Sequence, residues 1–327
     1  MIRISIYPSI TSDGIGTYVN GIKDLVCADA VPAYSGLFSL RTFLYAPKNY
    51  DIIHSPTTLV PLISHGAKVV CTIQDVIPLS PLSGLNPVAR FYFRARIWWS
   101  IRKSDYLIFT SRNTLEDVIR KFGPIGPHAV IPLAVDEPLS GNFRSPYSFP
   151  YCFSLGRRRR HKNIMGIIDA FALVQRSHGL HLVFGGKEDI HDESIRLRAR
   201  ELGIEDRIVF AGFLSGAQLA AHYINASSLV FASLYEGFGL PILEAMSYGC
   251  PVITSNRASM PEVAGGAALL VNPEDIESIA NSIQSLHTDS LLRLKLIELG
   301  LNNAKLYSWS RVASETYNVY KKVVVNR

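Results

Sequence analysis

The sequence predicts an α/β protein of two domains, each a parallel sheet covered by helices on both faces. Three observations carry this. A chain of 327 residues is long enough for about two domains. Short apolar runs alternate with amphipathic stretches almost from end to end, the pattern of strand and crossover helix. One stretch rich in proline, serine and glycine, DEPLSGNFRSPYSFP at 136–150, interrupts the alternation near the middle and reads as a hinge. At 48% hydrophobic and 18% charged, the chain can bury sizeable cores and is not disordered in composition.

In the first half the expected strands are 2–8 (IRISIYP), 51–56, 67–75, 105–111 and 128–135. Helices are expected over 16–28, 87–103 and 112–122. Ile2, Ile4 and Ile6 alternate with polar residues, which reads as a strand rather than as a targeting segment. The second half is more regular. Strands are expected at 151–156, 180–186, 207–212, 228–235, 251–256 and 267–273, and helices at 163–179, 193–203, 215–227, 240–249 and 275–306. The expected domains are 1–145 and 146–310, with 311–327 as a terminal helix. Open parallel sheets bind ligands at the carboxyl ends of their strands, so a ligand is expected there, between two similar halves.

The formal charge of +6 divides into +4 over 1–150 and +2 over the rest. That suits an anionic ligand or an anionic membrane surface, and it is too modest for a nucleic-acid binder. Cys27, Cys71, Cys152 and Cys250 are single and far apart, with neither a disulfide framework nor zinc spacing, which favours a reducing cytoplasm. The longest run without Asp, Glu, Lys or Arg, Ile208 to Tyr235, is broken by glycine and polar residues and reads as strand, helix and strand rather than a membrane span.

Three stretches carry chemistry. In LYEGFGLPILEAMSYGCPVITSN, Glu236 follows an apolar strand, Gly237 and Gly239 permit a tight turn, and Pro241 suits a first helical turn. A helix starting near Leu240 would aim its free N–H groups at an anion, with Glu244 about one turn further in. GRRRRHKN, Gly156 to Asn163, also lies between a strand and a helix, and places arginine and lysine where a phosphate or diphosphate would lie. Four adjacent arginines cannot all point inward. SDGIGTYV at 12–19 puts Gly14 and Gly16 between a strand and a helix, without the nicotinamide fingerprint G-x-G-x-x-G. No D-x-D occurs, so a metal-carboxylate clamp on a diphosphate has no obvious ligands and no metal or cofactor is expected. RFYFRARIWWSIRK at 90–103 mixes five cations with five aromatics; its charges segregate poorly around a helix, so a partly buried helix is favoured, with contact to anionic lipid left open.

Taken together, GIG after the first strand, DIIHSP, GR…K, DRIVFAGFLS, SLYEGFGLPILEAMSYGCPVITSN, MPEVAGGAALLVNPED and YSWSRVASETYNVY resemble the family-4 retaining glycosyltransferases of the GT-B fold, in which two Rossmann-like domains face a cleft. The resemblance covers nearly the whole chain, is most specific over 151–320, and is nearest to the branch that builds bacterial surface polysaccharides, often with mannose. It implies that Glu236 contacts the donor sugar and Glu244 the nucleotide ribose. It implies that Arg157 and Lys162, beside Gly156, hold the diphosphate, that Gly14 and Gly16 close on the phosphates and acceptor, and that the backbone of Phe238, Gly239 and Leu240 meets sugar and phosphate. The terminal helix, around Trp309 to Val325, is expected to cross back onto the first domain.

One position departs from the family. Members commonly carry His-Asp after the third strand, where this chain has Gln74 and Asp75. Glutamine can hydrogen-bond a hydroxyl but cannot take a proton. Altered donor preference, reduced activity, or substitution by another residue such as His54 are the three readings, although a strand-end histidine is more often structural. His161 stands where close relatives often have arginine, with Arg160 or Arg157 able to compensate. The implied function is a retaining, metal-independent hexosyltransferase, with GDP-mannose the favoured donor and a saccharide or lipid-linked acceptor. It would work in the cytoplasm, with peripheral contact at the inner membrane face open. A 2-epimerase-like sugar-nucleotide isomerase and a non-catalytic nucleotide-sugar-binding subunit are the alternatives.

Overall fold

A computed structural model describes residues 2–9, 13–32, 44–174, 179–187 and 192–325. The chain divides into two compact units, Met1–Asp136 with Tyr307–Arg327, and Glu137–Leu306. Each contains one six-stranded sheet, and all the strand pairs are parallel.

In the first unit the strands are β1 (Ile4–Ser9), β2 (Ala28–Pro32), β3 (Ile52–Ser55), β4 (Lys68–Ile73), β5 (Tyr106–Phe109) and β6 (His128–Val130), in the order β2-β1-β3-β4-β5-β6. The helices are α1 (Asp13–Lys23), α2 (Pro87–Lys103), α3 (Arg112–Phe122) and, from the end of the chain, α11 (Trp309–Val325). Two details differ from the sequence expectation. The first helix stops at Lys23 and Ala28 opens β2, an edge strand that ends at Pro32. Proline lacks the N–H that a central strand must donate, so an edge is where such a strand can lie. Gly14 and Gly16 sit inside α1 rather than in a loop before it; Ser12 lies outside the described residues.

The core of this unit contains a polar network. His54 is fully buried, with Nδ1 2.6 Å from the Tyr320 hydroxyl and Nε2 2.8 Å from Thr72 Oγ1. Tyr18 meets the same Thr72 hydroxyl at 3.1 Å. These four side chains link β3, β4, α1 and α11. The docking of α11 is close: a Cβ built on Gly21 of α1 would stand 2.3 Å from the Trp309 ring, so only glycine fits. The Trp309 Nε1–H donates to Asp136 Oδ1 at 2.9 Å.

The second unit has strands β7 (Tyr151–Leu155), β8 (His181–Gly185), β9 (Ile208–Gly212), β10 (Ser228–Phe231), β11 (Val252–Ser255) and β12 (Leu269–Val271), ordered β12-β11-β10-β7-β8-β9. Between and after them run α4 (Ile164–Leu173), α5 (Asp192–Glu201), α6 (Gly216–Asn225), α7 (Leu240–Ser247), α8 (Met260–Ala264), α9 (Ile276–Thr288) and α10 (Ser290–Ala304). The single helix expected over 275–306 is two, because Asp289 takes an extended conformation and caps α10 by accepting from the Leu292 N–H. The inner strands are mostly apolar and almost fully buried, and Cys152, Phe184, Val230 and Ile253 pack beneath α4 and α9 in one core.

Candidate functional site

The carboxyl ends of β7 and β10 gather the basic stretch and the first of the two acids. After β7 the chain passes through Gly156, whose N–H donates to Gly185 O, and makes a single 3₁₀ turn, Arg160–Lys162. Asn163, in a left-handed conformation, ends this turn and donates from its side-chain amide to the Ala232 and Pro273 carbonyls. The Leu234 N–H donates to His161 O at 2.7 Å, fixing the turn against the end of β10. The result is that Lys162 Nζ lies 2.7 Å from Glu236 Oε1, with both side chains mostly buried. The same ammonium lies 4.8 Å above the Phe231 ring. His161, half-buried beside them, has its pKa pushed down by desolvation, with Lys162 and Arg159 adding to the fall and Glu236 opposing it.

The four arginines diverge. Arg157, Arg159 and Arg160 are exposed, whereas Arg158 is buried. Its Nη1 donates to Gly156 O and Gly185 O, and its Nε is 3.1 Å from Asp192 Oδ1. Arg158 therefore holds the strand-end loops together; it is a structural cation in a run whose other members face solvent.

After Glu236 the turn is held from behind. The buried Ser259 hydroxyl lies 3.0 Å from Glu236 O and 2.7 Å from Phe238 O, placed to donate to either. Gly239 adopts φ +107° at the N-cap of α7, with no side chain capping the helix and Pro241 in its first turn. Phe238 is buried, and Leu240 opens the helix. Glu244 stands one turn in and accepts a 2.8 Å hydrogen bond from the Tyr223 hydroxyl. Tyr223 is completely buried, and burial together with the Glu244 charge raises its pKa well above the ordinary phenol value. Its ring stacks on Tyr248, 6.0 Å away. Ser259, Asn163 and Tyr223 were not singled out from the sequence. A lone Ser, Asn or Tyr in an apolar segment carries no signal until the fold shows which carbonyl or carboxylate it meets.

The remaining residues belong to the first unit. Gln74 follows β4 directly, and its Nε2 donates to Pro56 O at 3.3 Å. Its backbone carbonyl accepts from the Thr110 hydroxyl. Asp75 Oδ1 accepts from the Ile77 N–H and so starts the short turn Ile77–Leu79. His54 lies in the core, as a strand-end histidine more often does: desolvation pushes its pKa down to about 3, and both ring nitrogens are engaged, Nδ1 with Tyr320 and Nε2 with Thr72.

Known proteins show the same pattern. Residues 139–302 match the glycosyl transferases group 1 family, and residues 23–137 match glycosyltransferase family 4. The O-antigen chain mannosyltransferase B of Escherichia coli is 36% identical over 174 residues, which cover 52% of this chain and 45% of that protein. The serotype-specific mannosyltransferase WbdA of Escherichia coli is 28% identical over 94% of this chain and 39% of its own length. The chain thus spans less than half the length of these two curated relatives. Among solved structures, the Anabaena protein HepE in complex with UDP-glucose superposes with a TM-score of 0.80 at 16% identity, covering 98% of this chain and all of the other. Sucrose-phosphate synthase from Thermosynechococcus elongatus gives 0.78 at 18% identity over the whole of both chains. With two parallel six-stranded sheets and a family match over half its length, the chain has the GT-B fold and belongs to the glycosyl transferases group 1 family.

Proposed function

We propose that this chain transfers a hexose from a nucleotide sugar to a saccharide or lipid-linked acceptor, with the nucleotide sugar held by the second unit and the acceptor by the first. The observation that carries this reading is the Lys162–Glu236 pair beside the start of α7. A cation and a helix N-terminus follow neighbouring strand ends, and both suit a diphosphate leaving group. A carboxylate beside them accepts from sugar hydroxyls, and a second carboxylate on the same helix, Glu244, accepts from ribose hydroxyls. Arg157, exposed on the same loop, can reach a phosphate that binds there. Mannose is the favoured sugar because the relatives reported above are named as mannosyltransferases.

On this reading, departure of the diphosphate is stabilised by Lys162, Arg157 and the amides of α7 without a metal, since the sequence has no D-x-D. Retention would follow from attack by the acceptor on the face the leaving group departs, with a leaving phosphate oxygen taking the acceptor proton. A thermal-shift panel of GDP, UDP and ADP tests the donor. A ligand at about 100 times its Kd raises stability by roughly 2.7 kcal/mol. No shift with any of the three would refute nucleotide binding. Turnover of GDP-mannose that survives EDTA is expected; loss on chelation, restored by manganese or magnesium, would overturn metal independence. Gln74 is the residue that favours a second reading, a subunit that binds nucleotide sugar without turning it over. A 2-epimerase-like isomerase would release product with no acceptor present.

A further inference from the structure

Glu244 is half-buried on α7, and the side chain that holds it comes from another helix. Its Oε2 accepts from the hydroxyl of Tyr223 on α6 at 2.8 Å. The Tyr223 ring is wedged in place. It is fully buried, edge-on to Phe153 of β7 at 5.5 Å and stacked on Tyr248 at 6.0 Å. Tyr248 is tied in turn, since its hydroxyl accepts from the Leu139 N–H at 3.1 Å. The start of α6 is fastened by Gln218, whose side-chain oxygen accepts from the Ser215 N–H at 2.9 Å. A buried phenol needs an acceptor, but a backbone carbonyl would serve. Tyr151, equally buried, uses the His222 carbonyl at 2.9 Å. Tyr223 directs its proton to a carboxylate of the candidate site instead.

We infer that Tyr223 is a positioning residue of the nucleotide site: its hydroxyl holds the Glu244 carboxylate ready for a ribose diol, and so makes the site selective for ribonucleotides. The inference rests on the reading of Glu244 as the ribose contact. An ionised carboxylate has about four acceptor positions on its oxygens, so one bond from tyrosine fixes the group without exhausting it. A glutamate that is not held must be ordered when the ligand arrives, and ordering such a side chain weakens binding about two- to tenfold. Here the ordering is done beforehand, by a ring packed into the core. The proton that does it is secure. Burial, with the neighbouring Glu244 charge, pushes the Tyr223 pKa well above the ordinary phenol value, so the hydroxyl remains a donor throughout the neutral range.

Calorimetry tests it, with whichever of GDP, UDP and ADP the unaltered protein binds and with the 2′,3′-dideoxy form of the same diphosphate. Tyr223→Phe keeps the ring and removes the donor. It should weaken the ribonucleotide about two- to tenfold and leave the dideoxy form unchanged. In turnover, KM for the donor should rise by the same factor while kcat holds. Tyr248→Phe keeps the stacked ring and loses the contact with Leu139, and should bind both forms as the unaltered protein does. The ratio of the two affinities is read from folded protein, so a lower melting temperature does not blur it. No loss in Tyr223→Phe, or an equal loss for both forms, would overturn the inference, because a tyrosine that only supports the fold would act in that way. So would the same selective loss in Tyr248→Phe, which would place the effect in the packing rather than in the hydroxyl. Glu244→Gln separates this inference from the reading beneath it. If Glu244→Gln discriminates the two forms and Tyr223→Phe does not, only the positioning role falls. If Glu244→Gln weakens both forms alike, Glu244 does not meet the ribose, and both fall together.

Discussion

Lys162 meets Glu236 at 2.7 Å, so the cation assigned to the diphosphate also neutralises the acid assigned to the sugar. Removing either charge leaves the other buried without its partner. The amide is therefore the informative replacement. Glu236→Gln keeps an acceptor for Lys162 and loses the charge, and should lower kcat about tenfold or more while leaving GDP or UDP affinity within a few-fold. Glu244→Gln should do the reverse, weakening nucleotide binding by about 1.5–3 kcal/mol, because the ribose contact proposed for it would be unchanged through the reaction. Calorimetry beside steady-state rates separates the two; loss of nucleotide binding in Glu236→Gln alone would reverse the assignment. Arg158→Ala should show itself in stability rather than in nucleotide affinity. It removes the partner of Asp192 and of two carbonyls from a buried position, a loss of about 3 kcal/mol in denaturant unfolding.

At the scale of the element, the start of α7 depends on one backbone conformation. Gly239→Ala would place a Cβ at φ +107° and 3.2 Å from Ile242 Cδ1. The strained conformation costs about 1–3 kcal/mol, and relieving it would re-aim the first turn of the helix. Nucleotide affinity should fall together with the melting temperature; a variant that lost stability but bound nucleotide normally would show that the helix start does not meet the ligand. Ser259→Ala tests the same turn from behind, since it removes the one hydroxyl donor within reach of the Glu236 and Phe238 carbonyls. A loss of about 1–3 kcal/mol in unfolding free energy is expected.

At the scale of the whole molecule, the buried histidine in the first unit links stability to pH. His54 has a folded pKa of about 3, below the ordinary value of 6.5, so it stays neutral in the fold while the unfolded chain takes up a proton. Its contribution is complete above pH 6.5 and is lost as pH falls toward 3. Between pH 7 and 5, where most carboxylates are still ionised, that loss amounts to about 2 kcal/mol. His161 and His222 are also shifted down, mainly by desolvation, and add in the same direction. Urea unfolding at pH 7, 6 and 5 should show the decline, and His54→Asn should have a flatter profile from a lower starting stability. An unchanged slope in the variant would mean that His54 is not the group titrating.

Hydrophobic periodicity by itself determined the α/β class, the strand count of the second sheet and the limits of α2 and α3, because crossover helices and buried parallel strands differ in length and pattern over many residues. It placed Glu236 and the basic loop at strand ends and Glu244 about one turn into the helix that follows, since strand-turn-helix order is local. What it could not determine were contacts made at long separation. That Arg158 turns inward to Asp192 while its neighbours face water depends on the β7–β8 edge. That His54 is a core residue depends on Tyr320, 266 residues away. That Phe91 and Trp98 of α2 point outward depends on which side packs against Thr58. The edge strand β2 and the break at Asp289 were missed for a related reason, since both are set by one or two residues whose effect only their packed neighbours reveal. Local free energy selects the element, but the direction a side chain faces is settled when the sheet closes around it, and only the tertiary structure decides that.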